Sequence, residues 1–186
     1  MAANNTADVT NVKGVAGGYG YSAPYGTDGV ASSNPFEVLG DAYDNMGFIS
    51  SDGIEEAIDA DTEEITDLNG EVVFVAKSRE VETLVLTLIS LTEESLNEMY
   101  GHSNVDASGT NIVVQHKNTN HDQREYVYDL VLKDGRKMRK VVPNGTVTEV
   151  GSIVYGAGNV FSRQITIQCA PDSSGVRMYD YIQKAA

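Results

Sequence analysis

From Asn45 onward the chain alternates apolar and polar residues with period two, the signature of strands. Residues 71–77 set Val72, Phe74 and Ala76 against Glu71, Val73, Val75 and Lys77; residues 83–90 set Leu84, Leu86 and Leu88 against Thr83, Val85, Thr87 and Ile89. Both stretches predict strands by alternation and by β-branched content. A short helix is expected next. Thr92 can cap it, Glu93 and Glu94 fall in the first turn where the macrodipole favours acids, and Gly101 stops it. Its Leu96, Met99 and Tyr100 form one apolar stripe for docking onto a sheet. Residues 111–117 alternate around Ile112, Val114 and His116, and residues 124–133 place Tyr126, Tyr128, Leu130 and Leu132 opposite Val127, Asp129 and Val131. Asp134-Gly135 is a hairpin turn, and the return strand over 136–142 is expected to stop at Pro143-Asn144-Gly145. In residues 160–169, Phe161, Ile165, Ile167 and Cys169 point inward and Ser162, Gln164, Thr166 and Gln168 outward; residues 177–183 close the chain as a last strand. The pattern predicts a mainly β protein, an antiparallel sandwich or barrel with one short flanking helix.

Residues 1–45 lack this alternation. The run Gly17-Gly18-Tyr19-Gly20-Tyr21-Ser22-Ala23-Pro24-Tyr25-Gly26 is too punctuated for a helix and reads as an extended arm, leaving 46–186 as the β domain. With 186 residues, 41% apolar and 22% charged, the chain is long enough for one domain with a real core. Its 27 acidic and 13 basic residues give a net charge of −14, which argues against a duplex-DNA clamp, since phosphate binding needs a positive field. The charge is uneven: residues 37–100 carry 17 acids and 2 bases, residues 101–186 carry 8 and 10. That asymmetry suggests head-to-tail self-association, with a merely solvated surface as the alternative. No apolar run approaches the ~18 residues of a membrane span and no secretory leader is evident, so no membrane partner is expected and a reducing cytoplasm suits the single Cys169.

Motifs for chemistry are weak throughout. The glycine-rich stretch lacks the third glycine of a dinucleotide fingerprint and any following Lys-Ser/Thr. Asp59-Ala60-Asp61-Thr62-Glu63 begins like a calcium loop, but Glu64 stands where the turn needs glycine, which leaves an acidic surface loop. His116 and His121, beside Asp122, fit neither a helix face nor a paired register for a metal; His116 is expected as a core or interface histidine. Cys169 reads as a buried inert thiol. With no nucleophile elbow or cofactor motif, neither enzymatic activity nor a cofactor is expected. Lys133, Arg136, Lys137, Arg139 and Lys140 cluster about a hairpin tip without interleaved aromatics and read as a subunit-facing or solvated tip rather than a nucleic-acid site. A monomeric β-sandwich binding module is the competing class; it would show aromatic platforms, for which the chain has 10 Tyr but no Trp.

Several runs, in order, carry a resemblance: Ala23-Pro24-Tyr25-Gly26-Thr27; Leu39-Gly40; Met46-Gly47-Phe48-Ile49-Ser50-Ser51-Asp52-Gly53-Ile54; Glu64-Ile65-Thr66-Asp67-Leu68-Asn69-Gly70-Glu71-Val72-Val73; Pro143-Asn144-Gly145-Thr146-Val147-Thr148-Glu149-Val150-Gly151; and Pro171-Asp172-Ser173-Ser174-Gly175. Together, over roughly residues 20–183, the chain resembles the major tail tube proteins of long-tailed, non-contractile phages, particularly those of actinobacterial hosts. The resemblance implies a β-sandwich related to the tube proteins of contractile tails and type VI secretion, made in the bacterial cytoplasm and incorporated into the virion tail. It implies rings of about six copies stacked into a conduit for ejected DNA, meeting tape-measure, tail-tip and tail-terminator proteins. Under it, the arm with Tyr19, Tyr21 and Tyr25 and the tip with Lys133, Arg136, Lys137, Arg139 and Lys140 are expected at subunit contacts. Ser162, Gln164, Thr166 and Gln168 have the neutral polar character of a bore wall, or of an ordinary solvent face.

Overall fold

The computed structural model describes residues 9–27, 29–30, 33–118 and 120–185; within the arm expected over 1–45, residues 1–8, 28, 31 and 32 lie outside the described residues. In chain order the elements are β1 (Val12–Gly14), β2 (Gly20–Pro24), β3 (Asp44–Asn45), β4 (Ile49–Thr66), β5 (Val72–Leu88), α1 (Glu93–Tyr100), a 3₁₀ turn (His102–Asn104), β6 (Val105–Asp106), β7 (Val113–Val114), β8 (Arg124–Leu132), β9 (Lys137–Val150), β10 (Arg163–Cys169) and β11 (Tyr179–Ile182). All pairings are antiparallel, in the order β3-β2-β8-β9-β10-β5-β4, with β1 also on β8 and β11 also on β9; β6 and β7 form a separate pair.

β9 organises the sheet by changing partners along its length. Its first half pairs with β8 and β11, its second half with β10, and Gly145 alone meets both Arg124 and Cys169. Pro143 and Asn144 bulge at this hand-over, opposite Glu125, between the Tyr126–Val142 and Arg124–Gly145 pairs. The expected stop at Pro143-Asn144-Gly145 is therefore a corner inside one 14-residue strand. Proline lacks the N–H a ladder needs, and a bulge is where a strand tolerates it and bends. Gly145 is required there by packing, since a Cβ would lie 2.8 Å from Ile167 Cγ2 and from the Tyr126 ring.

The corner folds two half-sheets over one core. Tyr126, Tyr128 and Val142 come from one half, and Leu84, Leu86, Leu88, Ile165, Ile167 and Cys169 from the other. The ends also approach each other. Six strand steps would separate β3 from β4 by about 29 Å in a flat sheet, whereas the four-residue step from Asn45 to Ile49 spans at most about 14 Å. The sheet must curl, and the Tyr19 hydroxyl bridges the seam by accepting from the Ile49 N–H at 2.8 Å. The sandwich or barrel architecture is thus a bent, partly closed single sheet.

Helix α1 covers the open side with Leu96 and Met99. Thr92 caps it as expected, accepting from the Ser95 N–H while Ser95 Oγ accepts from the Thr92 N–H, and Gly101 ends it at φ 89°. Among the described residues no helix is long and apolar enough to cross a membrane.

Three further differences from the sequence expectation stand out. Gly20–Pro24, placed in the arm, is a strand between β8 and β3 with Ser22 and Ala23 buried. The missing side chain of Gly20 and the small one of Ala23 let this backbone lie close to the core, where Met46 and Ile49 reach to 3.3 Å of a Cβ position at Gly20. The strand expected over 111–117 shrinks to Val113–Val114, because the strand it pairs with among the described residues, β6, is two residues long. Finally, 71–77 and 83–90 are one strand, β5, paired along nearly its whole length with β4, for which no strand was expected.

Candidate functional site

β4 and β5 form a ribbon that leaves the body. Near the core they pair with register Ile54–Leu86 and Glu56–Leu84, and β10 flanks β5 from Leu88 only as far as Glu82. Beyond that point, among the described residues, no third strand supports the pair. The β4 segment from Asp59 to Thr66 therefore projects about 26 Å at the usual strand rise.

The tip is specified locally. The Asp67 carboxylate accepts from the backbone N–H groups of Asn69 at 2.8 Å and Glu71 at 2.9 Å, and Gly70 turns the chain at φ 83°. The Glu71 N–H bond, with those from Asn69 and Gly70, holds the Asp67 carboxyl below its ordinary range. At the root, Lys77 and Arg177 both pair with Glu80, Arg177 at 3.3 Å.

The ribbon's surface chemistry is unusual for a lone subunit. Val72, Val73, Phe74 and Val75 are each 50–63% exposed and alternate between both faces, while Ile58 and Ile65 on β4 are 59% and 51% exposed. Leu68 at the tip is fully exposed. Residues 49–88 also carry eleven acidic and two basic side chains. A strand apolar on both faces suits burial on both faces, and an isolated two-stranded ribbon is marginal in water. The alternation over 71–77 marked this strand. Its partner carries no such mark, because residues 55–64 are mostly acidic with little apolar alternation; the signal for it is the Asn69-Gly70 dipeptide, a hairpin turn that demands a mate of equal length.

The outer face of the adjoining half-sheet is mostly polar. Gln164, Thr166 and Gln168 on β10 stand beside Thr87, Val85 and Thr83, with Glu55 and Ala57 next in the same rows. Ser162 precedes the strand and is half-buried. Arg79, further out, faces Asp61.

The basic hairpin tip is largely neutralised within the subunit. Arg139 is buried, donating through Nη2 to Asp129 at 2.7 Å and through Nη1 to the Glu37 carbonyl at 2.8 Å. Lys140 is also buried, 2.7 Å from both Glu56 and Asp180; burial opposes its charge, but Asp180 and Glu56 outweigh it and raise its pKa. Arg136 pairs with Asp134 at 2.6 Å. Lys133 and Lys137 remain exposed. The tyrosines divide likewise: Tyr25 is exposed, Tyr21 half-buried in β2, and Tyr19 packs against the core at the seam. His116 sits on the surface, edge-on to the Tyr100 ring at 4.9 Å, rather than on a core-facing strand. Cys169 is buried in the core.

One cluster had no sequence signal. Glu98 on α1 is buried, accepting from Ser22 Oγ at 2.7 Å and from the Tyr126 hydroxyl at 2.9 Å, with Arg124 Nε at 3.3 Å. Burial raises its pKa against the pull of Ser22, Arg124 and Tyr126. Nearby, burial and then the Arg124 charge lower His102 to about 4. The cluster ties α1 to β2 and β8 and is enclosed by them, an arrangement that fastens elements rather than presenting groups to a ligand.

A family model described as phage tail tube protein matches residues 1–186. No curated protein sequence matches significantly. Among solved structures, the chain is similar to a chain of the PVC sheath–tube complex of an extracellular contractile injection system in its extended state, at 15% identity over 89% of both chains and a TM-score of 0.48. It is also similar to a chain of the anti-feeding prophage cap, the tube-terminating cap, at 18% identity over 96% of this chain and 98% of that one, TM-score 0.47. A third is a chain of the PVC sheath/tube terminator in its extended state, at 13% identity over 88% and 93%, TM-score 0.44.

Proposed function

Because the chain belongs to the phage tail tube protein family, and so has a structural rather than enzymatic role in the virion tail, we propose that its copies form six-membered rings stacked into the hollow tube through which the genome is ejected. The observation that carries this proposal is the ribbon, whose half-exposed apolar residues on both faces need neighbours. In a repeating tube each copy has identical neighbours, and head-to-tail contacts propagate without closing along the axis.

We assign the outer face with Ser162, Gln164, Thr166 and Gln168 to the bore. At these positions amides and hydroxyls, with Glu55 beside them, offer passing phosphates no cation, and Arg79, further out, stands opposite Asp61. Tyr21, Tyr25, Lys133 and Lys137 are assigned to neighbour contacts, whereas Tyr19, Arg136, Arg139 and Lys140 act inside the subunit. The tape-measure protein would occupy the bore, with the tip and terminator proteins at the tube's ends. The ordered runs from Ala23-Pro24-Tyr25 to Ser173-Ser174-Gly175 support the narrower assignment to long-tailed, non-contractile phages of actinobacterial hosts.

The test compares the full chain with one whose ribbon is trimmed at the Asp59–Val81 pair and closed by an Asn-Gly turn. Light scattering against concentration and negative-stain imaging should show rings or tubes for the full chain and folded monomers for the trimmed one. Equal assembly by both would refute the role given to the ribbon.

A further inference from the structure

We infer that the pole of the subunit opposite the ribbon tip, formed by loop 151–162 with Phe48 and Leu91, receives the ribbon of a second copy. This rests on the tube-forming role proposed above and names the surface that completes it.

Register fixes the position of the two surfaces. Ile49 pairs with Leu88, Leu88 with Arg163, and Ile165 with Val150. The loop from Val150 to Arg163 and the residues flanking Ile49 and Leu88 therefore share the end of the half-sheet farthest from the Asp67–Gly70 turn.

The chemistry of that end matches the ribbon. Residues 151–162 contain no Asp, Glu, Lys or Arg. Val154 and Val160 are 63% and 68% exposed, with Phe48 at 67% and Leu91 at 63%. Apolar exposure on this scale at one end of a monomer marks a contact surface. Charge selects its occupant. Two projecting ribbons laid together would juxtapose the seven carboxylates that residues 59–81 carry in each copy, a like-charge arrangement that opposes self-pairing. The uncharged loop can cover Val72–Val75 without that repulsion. Because ribbon tip and loop lie at opposite ends of one strand axis, the contact is heterologous and leaves a free ribbon and a free loop after every addition.

Two measurements test this. The Val154→Asp/Val160→Asp variant changes only exposed loop positions, so it should keep the wild-type circular dichroism and thermal midpoint while its assembly threshold rises at least tenfold. For proximity, Phe74→Cys copies are mixed with Val154→Cys copies and treated with a short bismaleimide; Cys169 stays silent because burial, with Glu82 nearby, pushes its thiol up to about 12. The expected product joins one copy of each kind in assembled particles. Loop-to-loop products alone, or wild-type assembly by the Asp variant, would overturn the inference while leaving tube formation intact. A wild-type chain that never assembles would remove the proposed tube role, and this inference with it.

Discussion

Removing the Glu98 carboxylate tests the buried fastening between α1 and the sheet. In Glu98→Ala the Arg124 guanidinium, itself 6% exposed, loses a carboxylate 3.3 Å away. The Ser22 and Tyr126 hydroxyls lose their acceptors at 2.7 and 2.9 Å. Asp44, 3.6 Å from Arg124 Nη2 and half-exposed, compensates only partly. Breaking a buried pair by deleting one partner costs about 3–5 kcal/mol. For a chain of this length that lowers the thermal midpoint by about 6–20 °C. Glu98→Gln keeps one acceptor and should cost about 1–3 kcal/mol. Urea and thermal unfolding of the dissociated subunit, followed by circular dichroism, measure both. The sign of the pH dependence follows from the raised pKa. The native state holds this proton more tightly than the unfolded chain, so its contribution is complete below the ordinary glutamate value of about 4.5 and is lost as pH rises through the native value. Glu98→Gln, which does not titrate, should therefore lose less relative to wild type at neutral pH than at pH 4. A Glu98→Ala variant within about 0.5 kcal/mol of wild type would refute the argument, because such a value is typical of surface sites.

Two more outcomes follow from burial at positions that look reactive or accessible in the sequence. Arg139→Glu should destabilise the subunit by about 3–5 kcal/mol in urea melts, since it inverts the buried partner of Asp129 and removes the bond to the Glu37 carbonyl, whereas exposed Lys137→Glu should stay within about 0.5 kcal/mol; equal effects would contradict the assigned environments. Burial, then Glu82, raises the Cys169 thiol to about 12, so the thiolate is scarce at pH 8 and iodoacetamide should label the native protein only as fast as it unfolds. Labelling as rapid as in urea-unfolded chain would exclude the buried placement.

Legibility in the sequence followed one-sided burial. Leu84, Leu86 and Leu88 alternate with polar or less buried residues and do line the core, as do Ile165, Ile167 and Cys169. The helix was legible because its signals are local: Thr92, the two glutamates and Gly101 all act within one or two turns. The Asp134-Gly135 turn was legible for the same reason. Along the arm, by contrast, Ser22 and Ala23 give no periodic signal, and only docking against β8 makes Gly20–Pro24 a strand. The Lys133–Lys140 cluster read as a basic surface because charge counts ignore what lies opposite; Asp129, Glu56 and Asp180 come from other strands and bury two of its members.

The amino-acid sequence by itself determined the mainly β class, the single capped helix, which face of the core strands turns inward, and a resemblance to tail tube proteins borne by short ordered runs. Those are properties of neighbours along the chain. Only the tertiary structure decided that β4 mates with β5 into a projecting ribbon, that β9 turns a corner at Pro143 to serve two half-sheets, and that Glu98 and Arg139 are interior groups. Each depends on which residues face one another across a gap in sequence, and alternation along one strand carries no information about the identity of its partner.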